Sequence, residues 1–357
     1  MRTYIQQPVG LLPSLNRILM HFSDTEDDFL FVKVEDLEYG EMSIIQKLVR
    51  NNQEEFLFDL SELTDSQLEF ISPNPESVSI QFLPFHLKYF KLQESTDGVT
   101  YTDVVEWSAI KSKIQFANIN QQYSSSLFAA LTSRTVSETA NYFVTVAGYP
   151  NDPVEFKIIY DDGTTHTETQ LLPSPTYNDV VFSAIKQRAY LVPVGFPQQG
   201  YADKQPGKVI SRVVITFNNE TLTLYPSSKK SIYEVELLYW DRYSGNFETL
   251  IAKGQSSSES EFQRNDYSIY GPSYSTTLVD NGMVQKVEEK MMMKLRTGYF
   301  KSKSEFQSAL NIMSAERVLA KLSDKYVEVA ITDKKIKGPQ DGDTLYSFEF
   351  SIDIPNR

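Results

Sequence analysis

The chain has 357 residues, which suggests two or three domains, and it contains no cysteine and only three histidines, His21, His86 and His166. Without cysteine, disulfides, thiol nucleophiles and cysteine-based zinc sites are excluded, and the wide spacing of the histidines disfavours a histidine-rich metal centre. With 34 basic against 47 acidic residues, the net charge of −13 disfavours specific nucleic-acid binding, which needs a basic surface.

The composition favours β-structure. Aromatic residues make up 13% of the chain, mostly as 22 Phe and 21 Tyr, and these side chains suit a half-buried pleated surface. Neither an apolar run long enough to span a bilayer nor the apolar core of a secretory signal is visible. We therefore expect synthesis in a cytoplasm and no insertion into a membrane.

Residues 1–110 are predicted to form an N-terminal β domain. Alternating apolar residues predict strands over Asn16–Phe22, Phe29–Glu35, Ser77–Leu83, His86–Leu92 and Tyr101–Trp107. Asp97-Gly98 is typical of the turn of a hairpin. A short helix is predicted over Leu60–Phe70.

Residues 111–228 are predicted to form a second β module. The strongest hairpin signal joins Val154–Tyr160 to Thr165–Leu171 across Asp161-Asp162-Gly163. A second hairpin joins Val209–Phe217 to Thr221–Tyr225. Gly195–Lys208 is rich in Gly, Pro and Gln, which predicts a long exposed loop that carries contacts.

Residues 229–357 are predicted to form a third, β-rich module with one helix. Strands are expected over Tyr233–Trp240, Phe247–Ile251, Tyr326–Thr332 and Leu345–Ile352. The helix is predicted over 304–320, because Ser304 and Gln307 fit a capping box and an apolar stripe follows.

His166 is a candidate general base, since it follows Asp161 and Asp162 closely in the sequence. A polar side chain on the return strand of a hairpin explains the same pattern, and we favour that interpretation. No Gly-x-Ser-x-Gly motif supplies a nucleophile, and no glycine-rich phosphate loop is present. The sequence therefore assigns no catalytic or cofactor-binding residue.

Two acidic segments are candidate ion sites. Asp24, Glu26, Asp27 and Asp28 form one, and Asp341-Gly342-Asp343 forms the other. Neither has the spacing of an EF-hand loop, so solvated turns are the favoured interpretation and no metal site is assigned.

Several segments are candidates for contacts with other molecules. Tyr267, Tyr270 and Tyr274 lie among Ser, Gly and Pro, which is typical of a contact loop or of a cover over a sheet edge. Met291–Met293 fits ordinary strand packing better than an adaptable partner surface. Asn219-Glu220-Thr221 is a glycosylation sequon only in the formal sense, since no export signal is visible.

The third module resembles a known family. The segment Tyr239–Leu250 has an aromatic strand, a turn and a G-x-x-E-T return, and Lys253–Arg264 after it is polar. The segments Lys294–Phe300, Val329–Ile336 and Asp343–Phe350 then follow in order. This order is similar to the C-terminal region of structural proteins from the tails of phages and prophages of Bacteroidetes, over about Ser231–Asn356.

The hairpin Ile158–Thr165 resembles the DGT hairpin of PKD-like and other immunoglobulin-like sandwiches, a resemblance that implies a fold and no function. The expected fold is therefore mainly β, with immunoglobulin- or PKD-like β-sandwich modules and one C-terminal α-helix packed on a β domain.

The family resemblance implies a non-enzymatic virion protein of the tail tip, the baseplate or a connector ring. Its implied partners are other tail proteins and further copies of the same chain in a ring, with host-surface contact also open and no cofactor. An acidic chain would also avoid sticking to DNA in a tail channel.

Two other functions stay open. A carbohydrate-binding or adhesion module should present exposed aromatic platforms, yet Trp107 and Trp240 lie in strong strand patterns that predict burial. A glycan hydrolase would need two carboxylates at a suitable separation, and no pair is indicated.

Overall fold

The computed structural model describes residues 3–24, 27–38, 43–49, 51, 55–69, 73–114, 118–228, 234–252, 257–267, 283–300, 302–322, 325–333, 336 and 346–354. Strands account for 52% of the chain and helices for 9%, so the mainly β class predicted from the composition is confirmed. Helices form only a small part of the molecule.

The chain divides into two compact units. The first contains Met1–Ser228 and Trp240–Thr249, and the second contains Lys229–Tyr239 and Leu250–Arg357. The short segment Trp240–Thr249 therefore belongs to the first unit, although the residues on either side of it belong to the second. The predicted division into three modules at residues 110 and 228 stays a prediction.

The first part of unit 1 contains nine strands and one short helix, α1 (Ser61–Ser66). The strands are β1 (Thr3–Gln6), β2 (Leu11–Pro13), β3 (Leu19–Ser23), β4 (Phe29–Asp36), β5 (Ser43–Val49), β6 (Glu55–Asp59), β7 (Gln81–Phe82), β8 (Leu87–Ser95) and β9 (Thr102–Ile110). All of them except β7 form a five-stranded sheet in the order β2-β9-β8-β4-β5 and a three-stranded sheet in the order β1-β3-β6. Apolar side chains from both sheets, among them Leu30, Phe56 and Trp107, form one core.

The second part of unit 1 contains ten strands and two short helices, α2 (Phe196–Gln199) and α3 (Tyr201–Lys204). The strands are β10 (Leu127–Phe128), β11 (Ser133–Ser137), β12 (Phe143–Gly148), β13 (Pro153–Tyr160), β14 (Thr165–Leu171), β15 (Thr176–Tyr177), β16 (Val180–Val181), β17 (Arg188–Pro193), β18 (Ile210–Phe217) and β19 (Glu220–Ser227).

These strands form two larger sheets in the orders β10-β12-β17-β7 and β11-β19-β18-β13-β14, and a small hairpin of β15 and β16. The two larger sheets pack face to face as a sandwich. A Cβ on Gly148 of β12 would lie 2.5 Å from a ring carbon of Phe217 in β18, so only glycine permits this approach. Strand β7 joins the smaller of the two sheets through its pairing with β17.

Alternation and turn chemistry explain the two predicted hairpins of this sandwich, both of which are confirmed. In β13, Val154, Phe156, Ile158 and Tyr160 are buried and the residues between them face outward. Gly163 supplies the positive φ of its turn, at +80°. In the β18–β19 turn, Asn218 and Asn219 have φ of 48° and 68°, the left-handed conformation that Asn tolerates.

The remaining strands form a seven-stranded sheet in the order β21-β20-β24-β25-β26-β23-β22. They are β20 (Val235–Asp241), β21 (Asn246–Ala252), β22 (Ser257–Tyr267), β23 (Met283–Arg296), β24 (Val318–Leu322), β25 (Lys325–Ile331) and β26 (Glu349–Ile354). Helix α4 (Lys303–Leu310), followed by a 3₁₀ turn (Asn311–Ser314), packs Phe306 and Ile312 into the core of unit 2.

The predicted helix 304–320 is wrong at both ends. Ser302, not Ser304, is the N-cap, since its hydroxyl accepts a hydrogen bond from the Glu305 amide at 3.1 Å. The helix ends at Leu310, and Val318–Leu322 is a strand that pairs with β20 and β25. The β-branched and aliphatic residues of Val318–Leu322 gain more from this pairing than from another turn of helix.

The loop predicted over Gly195–Lys208 also needs a correction. It contains α2 and α3, and their Phe196 and Tyr201 side chains are buried against each other with ring centroids 5.2 Å apart. Only part of the segment is exposed, because its two aromatic residues anchor it to the sandwich.

Candidate assembly site

His166 lies on β14 and pairs with Glu168 two residues along the strand, with 3.1 Å between Nε2 and Oε1. Asp162 instead accepts hydrogen bonds from Thr164 and binds the Lys208 ammonium at 2.9 Å, contacts that lower its pKa to about 2. The structure therefore does not group His166 with Asp162, and the favoured interpretation, a polar side chain on a return strand, fits its position.

The acidic segments do not form a metal site in the part of the chain that the structure describes. Asp24 is buried whereas Asp28 is exposed, and Glu26 lies outside the described residues, as does Asp341-Gly342-Asp343. Among the described residues, no group of three or more His, Asp or Glu side chains is placed to hold a metal ion.

The structure places some of the residues considered for contacts with other molecules, including the two tryptophans. Trp107 and Trp240 are both buried, as predicted. Met293 in β23 is half-buried and packs against the core of unit 2. Tyr267 ends β22, and Tyr270 and Tyr274 lie outside the described residues. Asn219 occupies a tight turn.

A network of buried polar side chains surrounds the tip of the β20–β21 hairpin, Gly245–Thr249, which contains the G-x-x-E-T pattern. Asn246 is 1% exposed and makes four hydrogen bonds. Its Oδ1 accepts from the amide and the hydroxyl of Thr145 at 2.8 and 3.0 Å. Its Nδ2 donates to the Phe143 carbonyl and to Glu248 Oε1, both at 3.1 Å. One side chain thus fastens the hairpin tip to β12.

Glu248 and Thr249 continue the same arrangement. The Glu248 carboxylate is buried, forms an ion pair with Arg134 and accepts the Ala130 amide at 3.2 Å. Arg134 also donates to the Thr249 carbonyl at 3.3 Å, and the Thr249 hydroxyl donates to the Asn141 carbonyl at 2.7 Å. A buried charge is costly unless it is paired and hydrogen-bonded, and Glu248 is both.

The turn of this hairpin is also specified by its residues. Asp241 accepts the Tyr243 amide on its carboxylate and the Gly245 amide on its carbonyl, each at 2.9 Å. Gly245 has φ +68°, and a Cβ there would lie 3.1 Å from the Cβ of Ser112. The Lys113 amide donates to the Arg242 carbonyl at 2.6 Å, which holds the turn against the segment after β9.

His86 lies in an aromatic pocket beside this hairpin. It is fully buried, and its ring meets Trp240 edge-on with 4.9 Å between centroids, while Phe247 lies 6.4 Å away. Burial and, secondarily, the nearby Lys111 charge lower its pKa from 6.5 to about 3. His86 is therefore neutral at physiological pH and acts in packing.

A second buried charged cluster links the ends of β4, β8 and β17. Arg188 forms an ion pair with Glu38, and Lys88 Nζ lies 3.0 Å from Asp36 Oδ2. Burial is the main influence on Glu38 and raises its pKa, while Arg188 opposes that effect. Lys88 and Asp36 lie on neighbouring strands of one sheet, whereas the Arg188–Glu38 pair joins the sandwich strand β17 to the first sheets.

Unit 1 has exposed aliphatic side chains on the β15–β16 hairpin and just after it. Val180, Val181 and Ile185 are 52%, 74% and 85% exposed. Phe182 beside them is buried and packs edge-on against Phe82, with centroids 5.1 Å apart. The hairpin is thus anchored by an aromatic contact and offers aliphatic side chains to solvent.

No helix in the described part of the chain is long and apolar enough to cross a membrane. No protein-family model matches the chain, and no curated protein sequence is significantly similar to it. The assignment of a function therefore rests on the residues and contacts described above.

Proposed function

We propose that the chain is a non-enzymatic structural protein of a bacteriophage tail, at the tip, the baseplate or a connector ring. In this proposal it works through protein–protein contacts with further copies and with other tail proteins. The main support for the proposal is the structural role of the G-x-x-E-T segment of the β20–β21 hairpin, which resembles tail proteins. Asn246, Glu248 and Thr249 form buried bonds to the main chain and to Arg134, which is an architectural role.

The distribution of buried charge supports the same proposal. Glu248 and Arg134 join the hairpin tip to the sandwich, and Arg188 and Glu38 join the sandwich to the first sheets. Such pairs favour one rigid arrangement over others, and a repeating subunit in a particle needs that rigidity. The exposed side chains Val180, Val181 and Ile185 supply apolar surface for a neighbour.

The experiment is the mass of the purified full-length protein by light scattering, combined with negative-stain electron microscopy. The proposal predicts a discrete closed oligomer such as a trimer, hexamer or dodecamer with a ring outline. The double variant Val181→Ser with Ile185→Ser removes the exposed apolar surface offered to a neighbour without touching the core, so it should weaken the oligomer.

Two results would favour the other functions. A protein that stays monomeric at all concentrations and binds immobilised glycans would support the carbohydrate-binding or adhesion alternative. Turnover of a glycan that is lost when two carboxylates are replaced would support a hydrolase. Either result would overturn the structural proposal.

A further inference from the structure

Strand β14 is the last strand of its sheet, and one side of it has no partner among the described residues. Its bonding sides follow from the register with β13. The Tyr160 amide donates to the Thr164 carbonyl and the Leu172 amide to the Asp152 carbonyl, each at 3.0 Å. Even-numbered residues of β14 therefore bond to β13. Thr165, Thr167, Thr169 and Leu171 direct their amides and carbonyls away from it.

This edge lacks the usual protection against pairing with another strand. Proteins block edges with lysine, proline, bulges or short length. Strand β14 has seven residues, contains neither lysine nor proline, and pairs with β13 without a register shift. Its one acidic residue, Glu168, is bonded to Lys204 Nζ at 2.7 Å. By contrast, β2 contains Pro13, and the sequence of the edge strand β22 includes Glu259, Glu261 and Arg264.

The outward side chains also suit strand pairing. Thr165, Thr167, Thr169 and Leu171 are all exposed and lie on one face. Threonine is β-branched and pairs well with threonine across strands. On the other face lie His166 and Glu168, each about a third exposed, and Glu168 Oε1 also binds Lys204 Nζ of α3 at 2.7 Å.

We propose that β14 pairs antiparallel with β14 of a second copy of this chain, around a two-fold axis at Thr167. In that register Thr167 lies opposite its own copy, and Thr165 lies opposite Thr169. His166 of each copy lies opposite Glu168 of the other. The outward amides and carbonyls of Thr165, Thr167 and Thr169 then bond in pairs, and the two five-stranded sheets become one.

Charge selects this register over the neighbouring one. A two-fold axis at Glu168 would give a longer overlap, but it would place two Glu168 carboxylates directly opposite each other. Like charges in that position are destabilising, whereas a His–Glu pair brings no like charges together. The same contact is isologous, so it closes after two copies. It does not depend on the proposed tail function, since either two single chains or two rings would pair through it.

The test is sedimentation equilibrium of the full-length protein over a concentration series. Wild type should dimerise reversibly, and Thr167→Lys should weaken the dimer by about tenfold or more, because two ammonium groups would meet at the axis. Thr221→Lys is the matched control, since Thr221 is exposed on β19 of the same sheet but away from this edge. It should leave dimerisation unchanged.

The register is tested by single-cysteine cross-linking. Because the chain has no cysteine of its own, only the introduced residue can form a disulfide. Directly opposite residues in a bonded pair have Cα atoms about 5.5 Å apart, within the range of a disulfide. Thr167→Cys should therefore oxidise to a covalent dimer much faster than Thr169→Cys, whose nearest copy is displaced along the strand.

The results that overturn the inference are distinct from those that overturn the tail function. Wild type that sediments as a monomer up to roughly 1 mM refutes the strand pairing, as does a dimer that Thr167→Lys leaves intact. Equal cross-linking at positions 167 and 169 refutes the register. A ring that keeps its size in Thr167→Lys would sustain the tail proposal while the strand pairing fails.

Discussion

The buried histidine should make the stability of unit 1 depend on pH in a defined window. His86 is fully buried against Trp240 and Phe247, and its folded-state pKa is lowered from 6.5 to about 3. In the unfolded chain its pKa returns to about 6.5. Below pH 6.5 the unfolded state therefore binds a proton that the folded state does not bind.

The sign and size follow from proton linkage. Stability is complete above pH 6.5 and falls as the pH decreases towards 3, by about 1.4 kcal/mol per pH unit. At pH 4 the loss from His86 alone is about 3 kcal/mol, a large fraction of the stability of a typical domain. Below the folded-state pKa of about 3 the loss should level off.

The assay is urea unfolding followed by tryptophan fluorescence at several pH values between 7.5 and 4. Both tryptophans, Trp107 and Trp240, belong to unit 1, so the signal reports the unfolding of that unit. The variant His86→Phe keeps an aromatic ring in the pocket but cannot bind a proton. Its stability should fall less steeply, and the difference between the two slopes isolates His86 from the other titrating groups.

If the free energies of unfolding of wild type and His86→Phe decrease with the same slope as the pH falls, the reasoning is refuted. They would mean that the imidazole is protonated in the folded state or that the pocket opens to water without unfolding. An imidazole NMR titration of His86 with a midpoint near 6.5 would lead to the same conclusion.

The other predictions concern two hairpin turns, that of β13–β14 and the tip of the β20–β21 hairpin, and use urea unfolding as the measurement. Gly163→Ala should lower the free energy of unfolding by about 1 kcal/mol, since φ is +80° and the surroundings are open. Gly245→Ala should lower it by about 1 kcal/mol more, because the added Cβ would lie 3.1 Å from the Cβ of Ser112. Equal costs would contradict the crowding at Gly245. Glu248→Leu should cost about 3 kcal/mol, because it leaves Arg134 without its carboxylate, and adding Arg134→Met should recover most of that loss. Strictly additive costs would show that the pair is not coupled. Asn246→Asp should cost about 3 kcal/mol, since a carboxylate would replace two donors and face Glu248. An unchanged unfolding midpoint would mean that these bonds are absent in solution.

Local signals in the sequence predicted much of the strand content. The alternation of Val154, Phe156 and Ile158, with a turn at Asp161-Asp162-Gly163, identified β13 and β14 correctly. Turn residues with a positive φ, such as Asn218 and Gly163, marked the hairpins. These features depend on neighbours in the chain, so the sequence is sufficient for them.

Other elements depend on partners that the sequence does not indicate. The predicted helix 304–320 includes the first three residues of Val318–Leu322, but β20 and β25 on either side make this segment a strand. The partners of the hairpin tip were also not predictable. Asn246 bonds to Thr145, 101 residues earlier, and Glu248 pairs with Arg134 at a separation of 114. A charged residue inside an apolar strand, such as Glu248, was the signal that a buried partner exists.

Structural constraints account for the residue types at the hairpin tip. Each polar position in Gly245–Thr249 meets a constraint that few residues satisfy. Gly245 needs a positive φ beside Ser112, and the buried Asn246 needs both a donor and an acceptor. Glu248 needs a negative charge facing Arg134. Because the constraints are structural, their loss should change stability and assembly first, and any effect on binding should follow from those changes.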